Sequence, residues 1–436
     1  MPKSKPTSSF DLTSLPGPHN VTRRVLGNGI VVLVRENHTS PSVVIESDLY
    51  VGALWEAPDG SQAGLAGFTT NSLMRGTDRR SFDQIYEEIE AVGASLGFSS
   101  GTHTSGFHGK ALAEDLNLLL DMAAEAIRRP TFPVDQLERL RGEWLTRLAM
   151  RANQTHARAD EAFYELAYPN HPYRFDEDGT PTTINAITRE AVVDFHRRHF
   201  GPRGMIVTIV GAVRAEAAIE LVERYFGDWA NPAQPATPTL PSVARPAGEL
   251  SKRIGMPGKI QSDFVLGAPG PQRDHPQFIA ARLANNILGV FGMGGRIGKY
   301  VREKGGMAYY AAASLDGGLG PGAWRAYAGV NPQNEQRAIE LTLREIAKFT
   351  TRKITAEELE DNQAFFLGRL PLGMETNEGM ASSISSVELY QLGADYFQRY
   401  PGLVQAVTRD AVLEVAQEFL SAKHYVLAIA GPEPNA

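Results

Sequence analysis

The chain repeats itself. ITREAVVDFHRRHF, Ile187 to Phe200, aligns without a gap on VTRDAVLEVAQEFL, Val407 to Leu420, at an offset of 220 residues. The same offset carries Val207–Gly211 onto Leu427–Gly431, and FPVDQLERLRGEWLTRL, ending at Leu148, matches ITAEELEDNQAFFLGRL, ending at Leu370, at 222. Matching blocks at so nearly one long offset indicate a duplicated domain rather than a short-period solenoid. The chain therefore has to fold as two copies of one architecture. At 436 residues it is long enough to bury two cores without help from a metal or disulfide.

Between the copies lies WANPAQPATPTLPSVARPAG, Trp229 to Gly248, whose five prolines favour extended, semi-rigid backbone. The expected organisation is an N-terminal arm (1–19), an N-terminal domain (20–228), a Pro-rich linker (229–249) and a C-terminal domain (250–436). In the first half, VTRRVL and IVVLVREN flank Gly27-Asn28-Gly29, a turn suited to positive φ and so to an antiparallel hairpin. VVIESDLYVG reads as a further strand and MIVTIVG closes the half. Helical spacing of apolar residues runs over Phe82–Val92, Leu116–Ile127 and Val134–Met150, and Thr188 is placed to cap another helix. Strands first and last with helices between predict an α+β fold: two homologous domains, each a mainly antiparallel sheet packed by helices.

Composition excludes several classes. There is no cysteine, which removes disulfides, Cys-ligated zinc, iron–sulfur clusters and thiol nucleophiles. Lys plus Arg is 43 against 50 Asp plus Glu, a net charge of −7, which speaks against nucleic-acid binding and against a polybasic membrane anchor. The longest apolar stretch, Met205 to Val213, is too short to span a bilayer. The N-terminal MPKSKPTSSFDL has no apolar core of the secretory kind, so the cytoplasm is expected, or the periplasm where a leader has been lost.

The glycine cluster from Gly289 to Lys299 fails as a phosphate loop. Met293 stands where a Walker glycine belongs, Tyr300 where Ser or Thr belongs, and Ile297 where the dinucleotide fingerprint needs its third glycine. It reads as a flexible loop leading into a helix. His196 and His199 share a helix but enclose Arg197 and Arg198, so a solvated face is expected there; His103 and His108 suggest no ligand set. No Ser-His-Asp order or GxSxG elbow is present.

The informative segment is Gly64 to Thr77, GLAGFTTNSLMRGT. Here the chain resembles the pitrilysin/insulinase family of zinc metallopeptidases, the inverzincins, and within it the short-chain bacterial relatives of mitochondrial processing peptidase. That family carries H-x-x-E-H in this frame, two imidazoles at i and i+4 for one zinc and a glutamate that activates the bound water. The three positions here hold Gly67, Thr70 and Asn71. The family's third ligand, a glutamate on a later helix, falls by resemblance on Arg147 or its neighbour Thr146, with Glu143 expected to pair with Arg147. Supporting marks are Gly52-x-x-x-Glu56 on the preceding strand, IEAVGASL around Gly93, His171-Pro-Tyr173 and Gly179-Thr180.

In the second half, GMGGRIGKYVREKGGMAYY resembles the family's C-terminal signature, in which an arginine and a tyrosine seven residues apart reach toward substrate and zinc centre. Arg302 and Tyr309 match that spacing, with Tyr310 the competitor if the register slips; the alternatives from spacing alone are a surface ion pair to Glu303 and a half-buried strand aromatic. The resemblance implies a zinc-free, non-catalytic subunit forming half of a clamshell. The zinc, activated water and general base would belong to a paralogous partner with intact H-x-x-E-H, and the substrates would be unfolded peptides. Two other classes stay open: a structural scaffold without proteolysis, and a homodimeric peptide-binding module.

Overall fold

The computed structural model describes residues 12–433, so the reading of MPKSKPTSSFDL as lacking a leader lies, but for Leu12, outside the described residues. The first sheet comprises β1 (Thr22–Val25), β2 (Val31–Glu36), β3 (Ser42–Asp48), β4 (Ser95–Ser100), β5 (Ser105–Leu112) and β6 (Ile206–Gly211), in the order β1-β2-β6-β3-β5-β4. The second comprises β7 (Glu249–Gly255), β8 (Ser262–Pro269), β9 (Ala308–Leu315), β10 (Ala323–Val330) and β11 (Tyr425–Gly431), in the order β7-β11-β8-β10-β9. Among the described residues, only β2–β6 and β7–β11 pair in parallel. Removing the edge strand β1 makes the two orders identical, with the last strand of each half inserted beside the first. The fold is α+β, built from two homologous units.

Local chemistry explains the elements. Gly29, at φ 92°, closes the turn between β1 and β2, while Asn28 Nδ2 ties that turn to the Phe226 carbonyl at 2.7 Å. Helices run over Phe82–Ala91, Leu116–Arg128 and Val134–Ala152. Thr188 caps helix Arg189–His199 by accepting from the Ala191 N–H at 3.2 Å, and its repeat, Thr408, accepts from Ala411 at 3.1 Å. Residues 230–248 carry neither helix nor strand. Asn231 Nδ2 bonds the Phe200 carbonyl at 2.8 Å and Arg245 reaches the Gln417 carbonyl at 3.1 Å, so this segment is fastened to both halves.

One expectation is corrected. Gly52 to Glu56 is not on a strand: β3 stops at Asp48, and Ala53–Trp55 form a 3-10 turn. Here the backbone closes on residues 101–102, with Ala53 N–H to the Gly101 carbonyl at 3.2 Å and Leu54 N–H to Thr102 at 3.1 Å. A Cβ on Gly52 would meet the Gly101 oxygen at 2.4 Å, so glycine is required for the close approach rather than for a ladder. Among the described residues, no helix is long and apolar enough to cross a membrane.

Each sheet has one face covered by its own helices and the other by a helix from the opposite half. Helix Thr155–Ala167 packs Ala159, Ala162 and Phe163 against Val265 of β8 and Val426, Ala428 and Ala430 of β11. Helix Asn377–Leu389, its repeat at offset 222, packs Met380, Ala381 and Ile384 against Leu33, Val44, Ile206 and Val210 of the first sheet. That exchange explains why β6, IVTIVG, is buried at all six positions: alternate residues face different halves of the molecule. Phe163 is fully buried in this contact. Phe163→Ala is expected to cost about 3–5 kcal/mol of stability in urea unfolding, the range for a large buried aromatic; a loss below about 1 kcal/mol, that of an average substitution, contradicts the packing argument.

Candidate functional site

Gly67, Thr70 and Asn71 all lie on helix Leu65–Ser72. Its N-terminus has no side-chain cap of its own. The Glu56 carboxyl fills that role, accepting from the Ala66 N–H at 2.8 Å and the Gly64 N–H at 3.3 Å. Burial pushes this carboxyl up to about 8, with the Ala66 and Gly64 N–H donors pulling the other way.

The three side-chain positions do not suit a zinc ion. Asn71 Nδ2 donates to the Gly67 carbonyl at 2.8 Å, and the fully buried Thr70 hydroxyl donates to the Ala66 carbonyl at 2.9 Å beside Ser105 Oγ at 3.2 Å. Both are spent on internal bonds. A Cβ on Gly67 would meet Trp144 Cη2 at 3.2 Å, so the indole occupies the room an imidazole at 67 would need. Trp144 comes from helix Val134–Ala152 and is locked by its Nε1–H bond to the Asp178 carbonyl at 2.9 Å. On the same helix Thr146 bonds back to Gly142 at 2.8 Å, and the exposed Arg147 lays its guanidinium 4.2 Å from the Trp144 ring centroid. A glycine, an internally bonded amide and a cation do not fit a dication. Among the described residues, no group of three or more His, Cys, Asp or Glu is placed to share a metal.

Glu143 does not pair with Arg147 as expected. It bonds Arg75 at 2.5 Å and meets Arg139 at 3.5 Å, because Arg147 is drawn onto the indole instead. Around these residues remains a cavity of about 270 Å³. It is walled by Asn71, Trp144, Arg147, Ser99 and Ser100 at the end of edge strand β4, and Glu177. Burial also pushes the Glu177 carboxyl up, while Thr102 donates to it at 2.9 Å.

Arg302 and Tyr309 lie in the second half. The preceding helix, Phe278–Gly289, gives way to a kinked stretch in which Gly292, Gly294 and Gly295 all have positive φ, and a π-helical turn, Gly298–Glu303, carries Arg302. Arg302 Nη2 is buried without a hydrogen-bond acceptor and is 4.0 Å from Glu303, at the limit of ion pairing. Tyr309, on β9 at the free edge of the second sheet, is 87% exposed. Tyr310 is tied to Asp263 by its hydroxyl, and burial with that bond raises its pKa. Neither Arg302 nor Tyr309 lines the cavity beside Gly67.

His196 departs from the solvated face expected of it. Its Nε2 bonds the Ile127 carbonyl at 2.8 Å and its ring packs on Phe132 and Phe200, so burial lowers its pKa. His103 is bonded to the Tyr173 hydroxyl, and burial lowers its pKa to about 4.

Motif reading missed a larger cavity, about 1010 Å³, where the halves meet. Arg325 of β10 pairs there with Asp160 at 2.5 Å and with Asp316 at 3.6 Å; Tyr164 donates to Asp316 at 2.6 Å, and His156 approaches Asp160 at 3.2 Å. The sequence trace is His156, Asp160 and Tyr164 at i, i+4 and i+8, a stripe along one side of that helix, flanking its apolar face.

Comparisons with known proteins agree with this architecture. Residues 31–175 match the family model described as insulinase (peptidase family M16), and residues 186–365 the model described as the peptidase M16 inactive domain. An uncharacterised zinc protease of Mycobacterium leprae is 26% identical over 419 residues, 94% of this chain and 92% of the relative. The crystal structure of a peptidase M16 inactive domain from Pseudomonas fluorescens gives a TM-score of 0.86 at 23% identity, covering 95% of this chain and 99% of that one. A protease from Helicobacter pylori gives 0.88 at 18% identity, covering 96% and 100%. This chain belongs to the insulinase family of peptidases, family M16.

The Glu56 carboxyl makes a testable contribution. Folded, it keeps its proton up to about pH 8; unfolded, it releases it near the ordinary 4.5. The raised value favours the fold at low pH, and that contribution is lost as pH rises toward 8. The stability difference between wild type and Glu56→Gln, from urea titrations, should fall between about pH 5 and 8, by at most about 1.4 kcal/mol per unit. A flat difference over that range contradicts the assignment.

Proposed function

We propose that this chain is the non-catalytic, zinc-free subunit of a two-subunit zinc metalloendopeptidase that degrades or processes unfolded peptides. The partner is a chain of the same family with intact H-x-x-E-H, supplying zinc, activated water and general base; this chain supplies one half of a clamshell and the Arg302–Tyr309 pair. The observation that carries the reading is the state of that pair: Arg302 Nη2 is buried without an acceptor, and Tyr309 stands exposed at a sheet edge. Arg302 has no hydrogen-bond acceptor, only Glu303 at the 4.0 Å limit of ion pairing, and Tyr309 projects into solvent, as groups that act on a substrate held between two subunits would.

Two further features support it. Met293, 65% exposed, and Phe291, 38% exposed, present apolar surface just before Arg302, of the kind a partner covers. Strands β4 and β9 are open sheet edges, where an extended peptide adds a strand through main-chain hydrogen bonds. The scaffold and homodimer readings leave Arg302 and Tyr309 without a task.

The test is a pull-down from the native host followed by kinetics on the recovered complex. Arg302→Ala and Tyr309→Phe should each leave assembly intact and reduce kcat/KM by roughly tenfold or more, the scale of one lost transition-state hydrogen bond. Unchanged turnover in both variants removes the assigned role, and recovery of no H-x-x-E-H partner removes the divided-enzyme reading.

A further inference from the structure

A second cavity, of about 570 Å³, lies within the C-terminal half among helices Phe278–Gly289, Ala356–Leu372, Asn377–Leu389 and Tyr396–Gln405. Three arginines reach it: Arg273, Arg282 and Arg369. No Asp or Glu lines it. Among the described residues none of the three makes an ion pair; each lies over aromatic rings instead. Arg273 is 4.7 Å from the Phe278 centroid, Arg282 is 5.2 Å from Phe366, and Arg369 is 5.9 Å from Phe365. Arg273 Nη2 also donates to the Tyr396 hydroxyl at 3.1 Å.

The duplication shows how unusual this is. Offset 222 maps Arg151, Glu161, Tyr164 and Glu165, which line the large cavity between the halves, onto Gly373, Ser383, Ser386 and Val387, which line this one. In the first cavity three of the four guanidiniums have carboxylate partners: Arg151 meets Glu161 at 3.4 Å and Asp178 at 2.9 Å, Arg158 meets Glu161, and Arg325 meets Asp160, while Arg174 lies over Phe175. In the second, serine and valine stand where the two glutamates would be, and three cations converge without an anion. For a chain of net charge −7 this is not an overflow of positive charge. Such a site is completed by a ligand that brings the anion.

We propose that this cavity binds a small organic anion, phosphate or carboxylate groups carried on an apolar or aromatic body. Arginine forks match both oxyanions, and the Phe and Tyr faces accept the body. The volume is of the size that small-molecule sites take. The ligand touches helix Asn377–Leu389, which is seated on the first sheet, and helix Phe278–Gly289 of the second unit, so binding stiffens the junction of the halves. This inference is independent of any peptidase role.

Calorimetric titration of the full chain with 1-naphthyl phosphate, a naphthalene dicarboxylate and inorganic pyrophosphate tests it. Saturable binding of a naphthyl probe is expected, weakened at least about tenfold in Arg282→Gln or Arg369→Gln, the equivalent of one charge-assisted hydrogen bond. The exposed Arg352→Gln should bind as wild type does. The tighter naphthyl probe identifies the oxyanion. Arg369 is exposed, so its replacement leaves the fold intact, and melting curves verify this for both variants. Failure of all three probes to saturate the wild-type chain, or affinity unchanged in both variants, overturns the site. Pyrophosphate binding as tightly as the naphthyl probes overturns the part assigned to the rings.

Discussion

Everything in this molecule hangs on the exchange of two helices. A sheet with both faces apolar must be covered twice, and each unit supplies only one cover for its own. Thr155–Ala167 lies on the second sheet and Asn377–Leu389 on the first, so neither unit completes its core alone. The exchange fixes the spacing of the halves, because helices packed by Ala159, Ala162 and Ala381 approach their sheets closely. It also sets where cavities form. Each exchanged helix directly follows the long helix before it, leaving space at that corner, and one such space became the cavity between the halves.

The helix before the first corner carries Trp144 and Arg147, and its relation to helix Leu65–Ser72 decides the chemistry beside Gly67. A metal centre there needs charged ligands pointing into a shared space. Instead an indole fills the space, its N–H bonded to the Asp178 carbonyl and its face taken by Arg147. The substitutions are mutually consistent. Gly67 leaves room for the ring, Asn71 and Thr70 satisfy themselves on the helix backbone, and the cation finds a π face in place of a carboxylate. A histidine restored at position 67 alone would crowd the indole, so the change at that position is held by packing.

How much of this was legible follows from the range of each interaction. The duplication, the Gly27–Gly29 turn and the caps at Thr188 and Thr408 are local or periodic, and they foretold two similar α+β units whose sheets share one strand order. The helix exchange left only a hint, the uninterrupted apolar run of β6, because which half covers a strand is a tertiary fact. Three readings failed for the same reason. Sequence spacing pairs Glu143 with Arg147, but Arg75, distant in sequence, is better placed. Gly52–Glu56 looked like strand, yet its backbone is captured by residues 101–102. His196 directly precedes two arginines in sequence and lies against Phe132 and Phe200 in space.

The two cavities show how one scaffold takes opposite electrostatic designs. In the first, Arg325 comes from β10 of the second half and Asp160 from the exchanged helix of the first, so the ion pair crosses the junction. Tyr164 and Asp316 add a second crossing bond. Partly desolvated pairs of this kind contribute little net stability, because their dehydration offsets their attraction, but they penalise any shift that separates the partners. They therefore hold register between the halves rather than strengthen the fold. In the second cavity the arginines lie on rings of their own unit, and none of them meets a carboxylate. One corner is closed by charges the chain supplies itself; the other gathers three arginines with no carboxylate among its walls, though Arg273 donates to Tyr396. That difference, and not the shared backbone, decides which of the two corners can respond to a ligand.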